Sequence, residues 1–214
     1  MYSLGMRRIL FLIGFVWCSF SVSAQKVRNE FFALHNIIRG DSTYNTFEKQ
    51  VMLIKEAGFD GIEINQLDNF PGMKKALDQN HYKGAYFYVK LNCDTSYIDE
   101  RLKSYIHQLK GSGTIIAPFF MSDSKKYKPS SSGADDIVIK QLRQVAAWAE
   151  ESGLQVAIYP HLGFYVERTD HALNLAKKVG RSNVGLTFNL CHWLATSSRT
   201  GRLEISFENT ETVS

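Results

Sequence analysis

Three histidines, a carboxylate, a lysine and several amides fall where apolar runs of this chain end. They are His35 and Asn36, Glu63 and Asn65, Lys90 and Asn92, Tyr159 and His161, and Asn189 and His192. Phe119 and Phe120 close a further run. Imidazoles with a carboxylate suit a divalent metal, and amides suit hydroxyl-rich molecules. Aromatic faces beside them stack on apolar ring faces.

Each residue also has a plainer reading. A histidine at a strand end is often a hydrogen-bonded structural group, and that alternative stays open for His35, His161 and His192. Glu63 either moves a proton, caps the next helix or pairs with Lys90. Lys90 is an electrostatic partner or, if desolvated, a base. His81, His107 and His171 fall on helices or helix ends, away from the others, and read as structural or solvated.

The elements that must position these groups alternate along the chain. Residues 31–38 form a mostly apolar run, as in a strand buried on both faces. Asn45 with Glu48 resembles a capping box, and Phe47, Val51 and Ile54 recur at helical spacing until Gly58. Strands are expected at 60–65, 84–92, 114–120, 155–161 and 184–190. Helices are expected from 71 to about 80, at 98–110, 135–152 and 169–179. Pro118 is expected at a strand end, because proline cannot donate to a central ladder. Residues 125–133 form a polar, Ser/Lys-rich surface loop. Strands alternating with helices imply a parallel sheet with helices packed outside it. The fold class is therefore α/β, of the (β/α) TIM-barrel type, incomplete at about six β/α units where a closed barrel needs eight.

At the N-terminus, Arg7 and Arg8 precede an apolar run and then Ser21-Val22-Ser23-Ala24. That is the pattern of a cleavable secretory signal over 1–24, and the apolar run is short for a membrane span. The resulting expectation is a periplasmic or secreted protein, with no membrane partner after cleavage. The domain then covers 25–195 and an irregular tail covers 196–214, with Leu203, Ile205 and Phe207 alternating as a candidate seventh strand. The formal charge of +4 includes Arg7 and Arg8, so no basic footprint points to nucleic acid. Cys93 and Cys191 do not make a disulfide framework and are expected as two free thiols.

The segment Gly153-Leu-Gln-Val-Ala-Ile-Tyr-Pro-His161 and the segment Asn183-Val-Gly-Leu-Thr-Phe-Asn-Leu-Cys-His192 resemble strands five and six of the xylose-isomerase-like TIM-barrel superfamily. Gly58-Phe-Asp-Gly-Ile-Glu-Ile64 resembles its second strand. The superfamily includes sugar isomerases, ketose 3-epimerases and endonuclease IV-type nucleases, and the likeness spans roughly residues 31–194. With the signal-like N-terminus, it implies an exported sugar isomerase/epimerase-like protein; the resemblance itself implies proton transfer next to a sugar carbonyl, with metal assistance from Mn, Mg, Co or Zn. Lyase or hydratase chemistry on an oxidised sugar follows the same enolate logic. In these terms Glu63 and Lys90 are the catalytic candidates. His35, Asn65, Tyr159 and Asn189 are candidates for binding a small-molecule carbohydrate, and His161 and His192 for binding metal. Tyr159 stands where the family has a glutamate ligand and Asn189 where it has an aspartate, while His192 matches the downstream histidine. Tyrosine at neutral pH and neutral asparagine are poor divalent ligands. Two further readings stay open: a non-catalytic carbohydrate-binding relative, and an inactive C-terminally truncated fragment of such an enzyme.

Overall fold

A computed structural model of the chain describes residues 29–201. The chain divides into two units, Met1–Glu30 and Phe31–Ser214, and of the first only Asn29 and Glu30 are described. The expected signal segment at 1–24 and the candidate seventh strand around Leu203 lie outside the described residues. Among the described residues no helix is long and apolar enough to cross a membrane.

Six parallel strands run in sequence order: β1 (Phe32–Ala33), β2 (Gly61–Asn65), β3 (Lys83–Asn92), β4 (Ile115–Met121), β5 (Val156–Ile158) and β6 (Val184–Leu186). The helices that alternate with them are α1 (Phe47–Glu56), α2 (Phe70–Gln79), α3 (Arg101–Gln108), α4 (Asp135–Glu151), α5 (Thr169–Val179) and α6 (Leu190–Thr200). This is an incomplete (β/α)6 TIM barrel, as the alternation predicts.

The helices form where apolar residues recur at three and four positions. In α4, Val138, Leu142, Val145 and Ala149 are fully buried, each Val or Leu worth about 1.5–3 kcal/mol. In α1 the Thr46 side chain caps the first turn by accepting from Lys49 N–H, so the cap falls one residue beyond Asn45. Gly180 ends α5 in the left-handed conformation, at φ 70°.

Period two divides the strands between two environments. Ile62, Ile64, Phe87, Val89, Leu91, Ile116, Phe120, Val156 and Ile158 join the helices in one core. Glu63, Asn65, Tyr86, Tyr88 and Lys90 alternate with them and lie on the opposite face, which in a β/α barrel lines the interior. The β2–β3 register shifts between Ile62 and Ile64, so an extra β3 residue lies opposite Glu63. At the start of β2 the chains are so close that a Cβ on Gly61 would sit 2.5 Å from the Lys83 carbonyl oxygen.

Several expectations need correction. The first strand is two residues long, and His35–Ile37 turns into a 3-10 helix. Phe31 and Ile37, expected to be buried on both faces, are 70% and 64% exposed at the sheet edge. Pro118 lies at the centre of β4. Its carbonyl accepts from Tyr159 N–H, while Ile116 N–H, two residues earlier, donates to Gln155. Pro118 thus faces β5 without a donor, and the β4–β5 register is Ile116↔Val156 alone. The sixth strand ends at Leu186, and residues 196–200, expected to be irregular, complete α6. Cys93 is buried, Cys191 is exposed, and both thiols are free.

Candidate functional site

The polar side chains gather at the C-terminal ends of the strands, on the face turned away from the helices. Glu63 is central. Its carboxylate accepts the His35 backbone N–H at 3.2 Å and is hydrogen-bonded by the Tyr88 hydroxyl. It is 6% exposed. Burial pushes its carboxyl from an ordinary 4.5 up to about 7, against the two hydrogen bonds that favour the charged form. Tyr88 is held well above the usual phenol range by burial and by the Glu63 charge. The sequence reading missed Tyr88, although its place two residues before Lys90 puts it on the same strand face.

Tyr88 packs edge-on against Tyr159, with ring centres 4.8 Å apart. Burial raises the Tyr159 phenol, so it stays protonated at neutral pH. Asn189 Nδ2 donates to the Tyr159 oxygen at 3.4 Å, while Asn189 Oδ1 accepts His192 N–H and caps α6. Both oxygens at the family's acidic positions are therefore engaged or protonated.

His161 and His192 come together as a close, tilted pair. Their ring centres are 3.7 Å apart, and Phe164 stacks on His161 at 4.0 Å. His161 Nδ1 donates to the Leu162 carbonyl at 2.8 Å. Burial, and then the neighbouring His161, lower the His192 pKa. An ion about 2.1 Å from one nitrogen of each ring would hold the centres roughly 5 Å apart, wider than the 3.7 Å of this pair. Among the described residues, no group of three or more His, Cys, Asp or Glu side chains converges to hold a metal. The donor chemistry at Tyr159 and Asn189 and the closely packed imidazoles do not fit the expected ion.

The remaining candidates divide between the site and its support. Asn65 is 8% exposed and donates to Asn36 Oδ1 at 3.2 Å. His35, expected to contact carbohydrate, is 0% exposed and cannot do so. Lys90 pairs with Asp123 at 2.6 Å, and both side chains are part-exposed, so the desolvation that a lysine base needs is missing. Of the other histidines, His107 faces Glu151 at the surface, while His171 bonds buried Asp135 at 2.9 Å.

Two positioning residues had no signal in the sequence. Glu167, 3% exposed, accepts Gly163 N–H at 2.7 Å and pairs with Arg199, tying the loop that carries His161 and Phe164 to α6. Gln141, fully buried in α4, donates to the carbonyls of Asn92, Thr95 and Tyr97 and so fixes the loop after β3.

A family profile described as "Xylose isomerase-like TIM barrel" matches residues 51–209. No curated protein matches the chain. Among solved structures, the chain is similar to the IOLI protein with a bound zinc atom, at 18% identity and TM-score 0.57, covering 77% of this chain and 64% of that one. It is similar to the probable 3-DHS dehydratase AsbF of Bacillus anthracis, at 13% identity and TM-score 0.59, covering 79% and 66%. It is also similar to the D-allulose 3-epimerase of Methylomonas sp. in complex with D-allulose, at 16% identity and TM-score 0.55, covering 74% and 62%. The chain thus spans just under two thirds of the length of these structures. The expected periplasmic or secreted location is corrected: the similarity to these structures runs against it, and it is not carried further.

Proposed function

Because the chain belongs to the xylose isomerase-like TIM barrel family, we propose that this polar sheet face is the sugar-binding and proton-transferring wall of an isomerase- or epimerase-type site. The observation that carries the reading is Glu63, a carboxyl buried on the interior face beside Tyr88, whose pKa burial raises to about 7. A general base works best when its pKa lies near the working pH, because it is then both available and strong enough. Such a group takes the proton from the carbon next to an open-chain sugar carbonyl. The C–H electrons move into the enediolate, and the same carboxylic acid returns the proton to the neighbouring carbon on the face it left, while the hydroxyl proton passes between the two oxygens; inversion at one carbon needs a second acid on the opposite face.

The surrounding groups suit that step. The Tyr88 hydroxyl orients the carboxylate. Since the Tyr159 oxygen accepts from Asn189, its own hydrogen is free to meet the oxygen on which charge develops. Tyr159 and Phe164 present apolar ring surface to sugar C–H groups, and Asn65 offers an amide to hydroxyls. Lys90, ion-paired with Asp123 at the rim, takes no part in the proton transfer. No step is assigned to a metal, because the residues at the family's ligand positions do not fit one. The neutral Tyr159 and Asn189 pair favours a second reading, carbohydrate binding without turnover.

The test is deuterium wash-in from D2O, followed by proton NMR, with D-fructose and D-allulose as first probes. Exchange of a proton next to the carbonyl, at least 100-fold slower in Glu63→Gln, is the expected result. Saturation-transfer signals from a sugar with no exchange would support the binding reading instead. Exchange at an undiminished rate in Glu63→Gln removes Glu63 from the mechanism.

A further inference from the structure

The residue behind Glu63 is more buried than Glu63 itself. His35 is 0% exposed, and its backbone N–H is the one that reaches Glu63 Oε2. Gln50, on α1, fixes the ring. Its Nε2 donates to the Tyr44 carbonyl at 2.8 Å, which leaves Oε1 as the acceptor for His35 Nε2 at 2.9 Å. A glutamine oxygen only accepts, so the proton of the neutral ring sits on Nε2. Nδ1 then carries the lone pair, and it is buried with no hydrogen-bond partner. An orphaned acceptor of this kind costs stability and calls for a reason. Interaction with substrate is not that reason, since the ring is sealed off.

We propose that His35 is a positioning residue for Glu63, locked by Gln50 as the neutral Nε2–H tautomer so that no second charge or proton donor forms behind the carboxylate. The proposal rests on the reading of Glu63 as the proton-transfer group. An imidazolium at this place would stabilise the ionised carboxylate and pull its titration down, away from neutrality. Burial, and then the Arg39 charge, hold His35 in its neutral form against the Gln50 bond. The groups facing the pair are few. Around His35 they are Gln50 and Phe47 from α1, with Arg39 beyond the 3-10 turn. Around Glu63 they are Tyr86 and Tyr88 from β3 and Tyr159 from β5, all phenols whose pKa is raised. No cation stands among the groups around Glu63 itself.

Two NMR measurements on the full chain test this. The first is the 15N spectrum of His35 at pH 7, where the Nε2–H tautomer is expected. An Nδ1–H tautomer or an imidazolium overturns the proposal, and this measurement needs no variant. The second is the side-chain 13C titration of Glu63 in Gln50→Glu, which places a carboxylate against Nε2 and favours a protonated ring. The Glu63 midpoint is expected to fall from about 7 by at least about one pH unit. An unmoved midpoint beside a protonated His35 overturns the proposal. These titrations read His35 without turnover, whereas loss of deuterium exchange in Glu63→Gln reads the proton-transfer assignment. A moved midpoint with exchange intact in Glu63→Gln therefore upholds the positioning and removes only the reading beneath it.

Discussion

Replacing Glu63 by glutamine should change how stability depends on pH, in a direction fixed by the structure. The folded chain holds this carboxyl at about 7, against an ordinary 4.5, because burial disfavours its charged form. Between those values the native state binds more protons than the unfolded chain, so stability falls as pH rises. The stabilisation is fully present below pH 4.5 and is lost as pH rises through 7. A displacement of that size corresponds to about 3 kcal/mol. Glutamine keeps an oxygen for the His35 N–H and has almost the same volume, but it does not titrate. Urea unfolding at half-unit steps from pH 5 to pH 8 measures the effect. His35 and His192, both lowered, contribute the opposite slope below their unfolded pKa of 6.5, and they cancel when the variant is subtracted from the parent. The difference should move by roughly 2–3 kcal/mol across the range, with Glu63→Gln relatively more stable at pH 8. A flat difference would refute the claim that Glu63 is buried and protonated near neutrality.

Three other outcomes follow from named contacts. Tyr88→Phe removes the hydroxyl that stabilises the charged Glu63, so the Glu63 carboxyl titration followed by 13C NMR should rise above 7. Asp135 accepts from Tyr165 at 2.8 Å, from His171 at 2.9 Å and from Lys178 at 3.2 Å at the start of α4. Asp135→Ala leaves those donors unpaired and should cost about 2–4 kcal/mol in urea unfolding at pH 7. Although burial acts to raise the Asp135 carboxyl, these bonds hold it below the usual range, so its contribution is lost as pH falls through the folded value. Iodoacetamide followed by peptide mapping should modify exposed Cys191 within minutes. It should leave Cys93 intact until unfolding, since Cys93 is buried and its thiol is pushed up to about 11.

What the sequence by itself determined was local and periodic. The stripe Val138, Leu142, Val145 and Ala149 announces α4, and residues 169–179 give α5 to the residue, because helix formation depends on neighbours three and four positions away. The alternation of strand and helix fixes a parallel sheet, and Glu63 and Asn65 could be placed at its second strand end. Strand ends were less legible. Pro118 is admitted to the centre of β4 because its missing donor faces a three-residue neighbour, which no single segment reveals. Only the tertiary structure decided which polar groups act together. Tyr88 meets Glu63 through the register of β2 against β3, including the shift beside Glu63. His161 and His192, 31 residues apart in the chain, meet because the start of α6 lies beside the end of β5, where Asn189 bonds Tyr159. Whether His35 touches substrate or stands behind a carboxylate is a question of burial. Burial is a property of all the elements packed around a residue, and so is the proton affinity that it imposes on Glu63.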